Sequence, residues 1–356
     1  MSSAVPGSFQ VDPTERIRLM LSATIVTVGG RDWTGRDLVT AGALSGRWHT
    51  LEADLARGLA SLEDWTPPRE PVKAALRDFR YARRLISADE FSDWLRQRGL
   101  TQAELLGAIK RRLAHQHDSG TRAGDHAGQR PGALAALPAE AVYTRALLDC
   151  AEWLIDRILC LADGSTQQVE PAELELLLER ERELMAFEAI AETDGDRRTR
   201  AELLLAASAA YDARVAAVCS AKAISKLLQH HALDWLRFEL IGFACPAAGA
   251  AAEVAALLRE GTPPELIAEV SGVPAEQLRL YLEEAPTAIQ GWLGGAVPGA
   301  VIGPVVDQDT HRTWLVRTRQ SPDSEDPSIA ERARAQVVEE DMRRRRAGKV
   351  KWHERH

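Results

Sequence analysis

Apolar residues recur at helical spacing over most of the chain, and a repeated polar signal marks where helices begin. In Asp12-Pro13-Thr14-Glu15, Ser87-Ala88-Asp89-Glu90, Thr101-Gln102-Ala103-Glu104, Thr199-Arg200-Ala201-Glu202 and Thr262-Pro263-Pro264-Glu265, a capping oxygen stands three residues before a glutamate. The cap accepts from an orphan backbone N–H, and the glutamate reaches back to the cap's own N–H. The pattern predicts a helix over 13–22, a strand over 24–28, a Gly29-Gly30 turn, and four or five helices up to His115. Trp33, Trp48, Phe79, Tyr81, Phe91 and Trp94 fall at spacings that put them on inner helix faces, as an aromatic core.

Between His117 and Leu137 both periods disappear among Gly120, Gly124, Gly128, Pro131 and Gly132, which predicts a flexible linker. His115, His117 and His126 cluster at its start, but a glycine-rich loop supplies no fixed metal geometry. Three long helices are predicted next, over 139–162, 171–191 and 201–230, the last with a break near Ser220. The middle one sets Leu174, Leu177, Leu178, Leu184 and Phe187 against Glu173, Glu179, Arg180, Glu181 and Glu183, an apolar stripe opposite a solvated face. The last third reads as a strand over 236–241, an Ala-rich helix, a strand within 297–306, a polar turn holding His311, and a strand over 313–318. Glycines 291, 294, 295, 299 and 303 read as tight strand turns. A charged helix opens at Asp326-Pro327 and ends at Arg343 to Arg346 as a solvated terminus, and Val350-Lys351-Trp352 reads as a short strand.

At 356 residues and 45% apolar content the chain can bury a sizeable core and is expected to form two linked domains. A net charge of −8 argues against a nucleic-acid protein, which would need a basic stripe. Cys150 and Cys160 are ten residues apart on one predicted helix, roughly 15 Å, too far for a disulfide. Cys219 and Cys245 read as small core residues, and a reducing compartment fits. Residues 1–12 lack a secretory pattern, and the apolar run 17–28 is too short and mixed to span a bilayer, so the reading is cytoplasmic, with no membrane partner. There is no GxSxG, P-loop, GxGxxG after a strand, or HExxH.

Two stretches carry a family resemblance. Val26-Thr27-Val28-Gly29-Gly30-Arg31-Asp32-Trp33-Thr34 is similar to the strand and turn "VNG-x-x-(I/V)-T" that follows the first helix of SurA-like chaperones, and 79–101 is similar to their helical core. Towards the C-terminus, 219–234 resembles the helix feeding a parvulin (PpiC-like) peptidyl-prolyl isomerase domain. Residues 253–270 resemble its helix pair, and Gly299 with Gly303-Pro304-Val305 its "G-E-(V/I)-(S/G)-x-P-V" strand. The resemblance implies a mainly α protein with a small α+β domain. It divides the chain into a SurA-like helical domain (1–116), a linker (117–138), a central helical segment (139–231), a parvulin-like domain (232–322), and a C-terminal helix and strand (323–356) returning to pair near residues 25–28.

The same resemblance implies a site that this chain lacks. Active parvulins resemble one another in a histidine on the first strand, a histidine on the last, a central Asp or Cys, and a Gly-Gly-Asp-Leu-Gly turn. Here the first position falls on Phe238 or Glu239, the second on Trp314, and residues 271–284 hold no Gly-Gly-Asp. A barrier of about 18–20 kcal/mol is lowered by a pocket that holds the twisted amide in a chosen electrostatic setting, and that setting is missing. The expectation is therefore a degenerate parvulin-like domain with no catalytic residues, metal or cofactor. It would bind an extended peptide or unfolded client across its sheet or between domains through Phe238, Glu239, Tyr281, Trp292 and Trp314. A narrower form makes the client a ribosomally made precursor peptide, with its modifying enzyme as a further partner. The alternatives are an isomerase or other peptide-modifying enzyme acting through Glu239 or His311, and a scaffold whose stripe from Leu174 to Phe187 docks a partner enzyme.

Overall fold

The computed structural model describes residues 12–118, 132–161, 169–188, 192–307 and 310–353. The chain divides into two compact units, Met1–Val215 with Met342–His356, and Ala216–Asp341. It is mainly helical with two small antiparallel sheets.

The first unit opens with α1 (Pro13–Ser22), β1 (Thr24–Val28), β2 (Arg31–Thr34) and α2 (Gly35–Ser45). Next come α3 (Arg47–Asp64), α4 (Arg69–Ala82), α5 (Ala88–Gln97), α6 (Gln102–Asp118), α7 (Ala133–Thr144), α8 (Ala146–Leu161), α9 (Pro171–Arg182), α10 (Met185–Glu188) and α11 (Asp194–Val218). Gly29 and Gly30, at φ +59° and +86°, make the two-residue turn between β1 and β2, a left-handed conformation that glycine adopts without steric cost. Trp33 is on β2 and not on a helix; it, Trp48, Phe79, Phe91 and Trp94 are buried, whereas Tyr81 is exposed.

Two of the five expected capping boxes form. Ser87 and Glu90 exchange bonds of 3.1 and 2.8 Å at α5, and Thr101 and Glu104 exchange bonds of 3.3 and 2.8 Å at α6. Asp12 makes no side-chain cap, and α14 of the second unit (Pro264–Ser271) is capped by Pro263 and not by Thr262. Thr199 lies inside α11, because Thr193 and Asp196 offer the same chemistry earlier, with Asp196 N donating to Thr193 Oγ1 at 3.1 Å.

Of the expected linker, residues 119–131 and with them His126 lie outside the described residues. On either side the helices run further than expected. His115 and His117 belong to α6, His117 stacking on Trp65 at 4.1 Å, and Ala133 and Leu137 of α7 are core. Leu174, Leu177, Leu178 and Leu184 are buried in the same core with Phe187 against it, so the stripe offers no exposed docking face. Cys150, Cys160 and Cys245 are buried and Cys219 is partly exposed, none of them in a disulfide; burial pushes the Cys150 thiol up to about 12.

Glu181, expected on a solvated face, is fully buried. It accepts from Thr40 of α2 and lies 3.7 Å from Arg200 of α11, which also donates to Thr40 at 2.7 Å and to Glu192 at 2.6 and 2.9 Å. Three helices are thus tied by one buried ionic network. The cations at the end of α16 (Pro327–Arg346) are likewise engaged: Arg346 holds Asp156 of α8 through two bonds of 2.7 Å, and Arg345 donates to Leu159 O. Beyond α16, β7 (Val350–Trp352) pairs antiparallel with β1, Val28 opposite Val350, giving a sheet ordered β2-β1-β7. Among the described residues no single helix is long and apolar enough to cross a membrane.

Removing one partner of a buried ion pair strands the other charge. Arg200→Ala is therefore expected to cost about 3–5 kcal/mol in urea unfolding, whereas Arg198→Ala, losing exposed pairs with Glu175 and Glu202, is expected to cost no more than about 1 kcal/mol. Burial opposes ionisation of Glu192, but Arg200, with Arg36 and Arg197, holds its carboxyl below the usual range. Its contribution to stability is complete above the unfolded carboxyl pKa of about 4.3 and is lost as pH falls through the lower folded value. Glu192→Gln should flatten that acid limb in pH-dependent melting.

Candidate functional site

The second unit continues with α12 (Ala221–His230), β3 (Arg237–Cys245), α13 (Ala248–Arg259), α14, β4 (Ala275–Tyr281), α15 (Thr287–Gly295), β5 (Val301–Asp307), β6 (Thr310–Gln320) and most of α16. Its sheet is antiparallel throughout, ordered β4-β3-β6-β5. Side chains alternate across a strand, so β3 feeds two cores. Phe238 and Leu240 pack with Trp314, Val316 and Ile302 beneath Ile289 and Leu293 of α15. Ile241, Phe243 and Cys245 pack against Ala251, Val254 and Leu258 of α13 and Ile267 of α14.

The five expected binding residues are not brought together. Phe238 and Trp314 are core, not groove surface, a correction caused by α15, which covers that face of the sheet. Trp314 has a seat prepared for it: a Cβ on Gly242 would stand 3.2 Å from its Cδ1 and 3.3 Å from its Nε1, so the indole occupies space that a larger residue at 242 would need. Trp292 is 57% exposed on α15, and Tyr281 lies under Arg332, whose guanidinium is 4.3 Å from the ring centre. Glu239 faces the opposite side of the sheet from Phe238. It lines an open polar hollow of about 310 Å³ with Ile241, Gln277, Arg317 and Glu265, and pairs with Arg279 at 2.8 Å. His311 is within β6, opposite Cys245 and Val306, and not in a turn.

Glycines 291, 294 and 295 are helical residues of α15, not strand turns. Gly303 does serve a strand: at φ +106° a Cβ there would lie 2.6 Å from Arg312 O.

Sequence reasoning passed over β4, although Gln277-Leu278-Arg279-Leu280 alternates as a half-buried strand should. β4 forms one edge of the sheet, is mostly exposed, and has no strand on its outer side among the described residues. The opposite edge, β5, is blunted: Pro304 has no N–H to donate, and the register slips between Ile302 and Val305. Beside β4 runs α14, carrying Leu266 and Val270 four residues apart, on one helical stripe, and 47% and 74% exposed. The open edge thus offers regular unpaired backbone groups with apolar surface and the Glu239–Arg279 hollow close by.

Three potential metal ligands, His231, Asp234 and Glu283, lie within 4.8 Å of one another, but Arg332 already engages the Glu283 carboxylate. A scan against protein-family models and a search of curated proteins find no match to the chain.

Truncating a buried aromatic loses burial and opens a cavity, so Trp314→Ala is expected to cost about 3–5 kcal/mol. Trp292→Ala, at an exposed position, should change stability by no more than about 0.5 kcal/mol. Chemical denaturation followed by circular dichroism separates the two.

Proposed function

We propose that this protein is a cytoplasmic, peptide-binding, chaperone-like protein: a SurA-like helical domain carrying a parvulin-like domain that binds extended polypeptide without isomerising it. The observation that carries the reading is the free edge of β4. A strand edge recognises any extended chain through its main-chain N–H and C=O groups, while neighbouring apolar side chains set preference. Leu266 and Val270 suit apolar client residues, and Arg279 with Glu239 suits polar ones.

Within 237–320, β3, the pair α13 and α14, β5 and β6 are the elements on which the parvulin resemblance rests, and β4 and α15 are additional to them. The return of β7 to β1 agrees with the SurA-like reading of the chain ends. The reading of binding without isomerisation is supported at the two positions where the resemblance implies histidines. Of the residues at those positions, Phe238 or Glu239 and Trp314, none is a histidine, and Phe238 and Trp314 are buried in one core cluster. Binding without a reaction fits the holding of a client such as a precursor peptide for another enzyme.

The test is exchange NMR with a panel of proline-containing peptides. Expected are peptide binding, slowed hydrogen exchange at amides of residues 275–281, loss of binding in a Leu266→Ser/Val270→Ser variant, and unchanged cis/trans exchange rates. Accelerated exchange that disappears in Glu239→Ala or His311→Ala would make the protein an enzyme and overturn the reading.

A further inference from the structure

An open cleft of about 910 Å³ in the first unit is lined by Arg83, Arg84, Trp94 and Arg98, with His353 on its wall. Arg83 and Trp94 also line a small adjoining hollow, together with Arg145. Burial, with the like charges of Arg145 and Arg98, pushes the Arg83 guanidinium down to about 10, which places these cations near one another. Among the described residues no carboxylate lies within ion-pair distance of Arg83, Arg84 or Arg145. The cleft's own carboxylates are engaged elsewhere: Glu90 accepts from the N–H groups of Ile86 and Ser87, and Asp93 pairs with Arg96. Arg83 Nε and the indole N–H of Trp94 are buried with no acceptor. Such donors are costly to leave unmet.

A second, independent observation comes from the backbone. Arg84 and Arg145, at φ +55° and +62°, are the only non-glycine residues with positive φ among those described. Each follows the end of a helix, α4 and α7, where glycine is the unstrained choice. Strain of this kind at an arginine of the cleft and an arginine of the adjoining hollow points to what the side chains do.

We propose that this cleft binds an acidic peptide segment, the guanidinium groups taking its carboxylates and the aromatic wall its neighbouring residues. Planar guanidinium matches carboxylate geometry, and Arg98 stacked 4.1 Å from the Trp94 ring centre extends the flat surface. Peptide is favoured over a small anion because the cleft is far larger than one anion, and because Tyr81 and Ile86, flanking the cleft-lining residues 82–85, are 63% and 73% exposed. Nucleic acid is disfavoured by the chain's net charge of −8. The site is separate from the β4 edge and does not require it.

The test is fluorescence anisotropy on the full chain with a labelled glutamate-rich peptide containing one tryptophan. The comparison ligands are its glutamine counterpart, inorganic phosphate and a short single-stranded DNA. Binding of the glutamate peptide should weaken with salt and exceed that of the glutamine peptide about tenfold or more, the scale of a charge-assisted hydrogen bond. Arg84→Gly and Arg145→Gly should each weaken it about tenfold while melting temperature holds or rises, since glycine relieves the backbone. Leu266→Ser/Val270→Ser should leave it unchanged, so failure here and failure at β4 are told apart. Equal binding of the glutamine peptide, tighter binding of phosphate or DNA, or unchanged affinity in both glycine variants would overturn the proposal.

Discussion

The first unit depends on its two chain ends meeting. β1 alone has one partner, β2, and a two-stranded ribbon is marginal in water; β7 supplies the third strand from more than 300 residues further along. The backbone closes both ends of this pairing, with Gly29 N donating to Lys349 O at 3.0 Å and His353 N to Ile25 O at 3.0 Å. The bidentate hold of Arg346 on Asp156 fixes the end of α16 just before the strand begins. Everything from Ala216 to Asp341 therefore lies between two segments of one fold.

In the second unit the governing constraint is that a sheet has two faces and two edges. Both faces are used for packing, one under α15 and the other under α13 and α14, and Phe238 and Trp314 are buried in the first. What a ligand can reach is then the edges and the open hollow lined by Glu239. Pro304 and the register slip blunt β5, while β4 keeps its unpaired backbone groups. An edge strand of this kind is an aggregation liability, mitigated by charge; Glu276 and Arg279 on β4 supply it.

The two candidate surfaces share a physical logic, since each leaves polar groups unmet at a place where the fold had alternatives. At β4 these are main-chain groups that a further strand would satisfy. In the arginine cleft they are Arg83 Nε and the Trp94 indole, beside two arginines held where glycine would be easier.

The sequence by itself determined where many elements begin and which residues can face inward. Capping chemistry is local, and it placed the starts of α5 and α6; periodicity placed the stripe on α9; Gly29-Gly30 placed a turn. It did not determine which faces are covered. Periodicity states that Phe238 and Glu239 lie on opposite sides of a strand, not that α15 closes over one of them and leaves Trp292 outside. Nor did it show that Glu181, in a run of acidic and basic residues, is the buried one, because its partners Thr40 and Arg200 stand 141 residues before it and 19 after it. Those assignments depend on contacts between distant segments, and only the tertiary structure decided them.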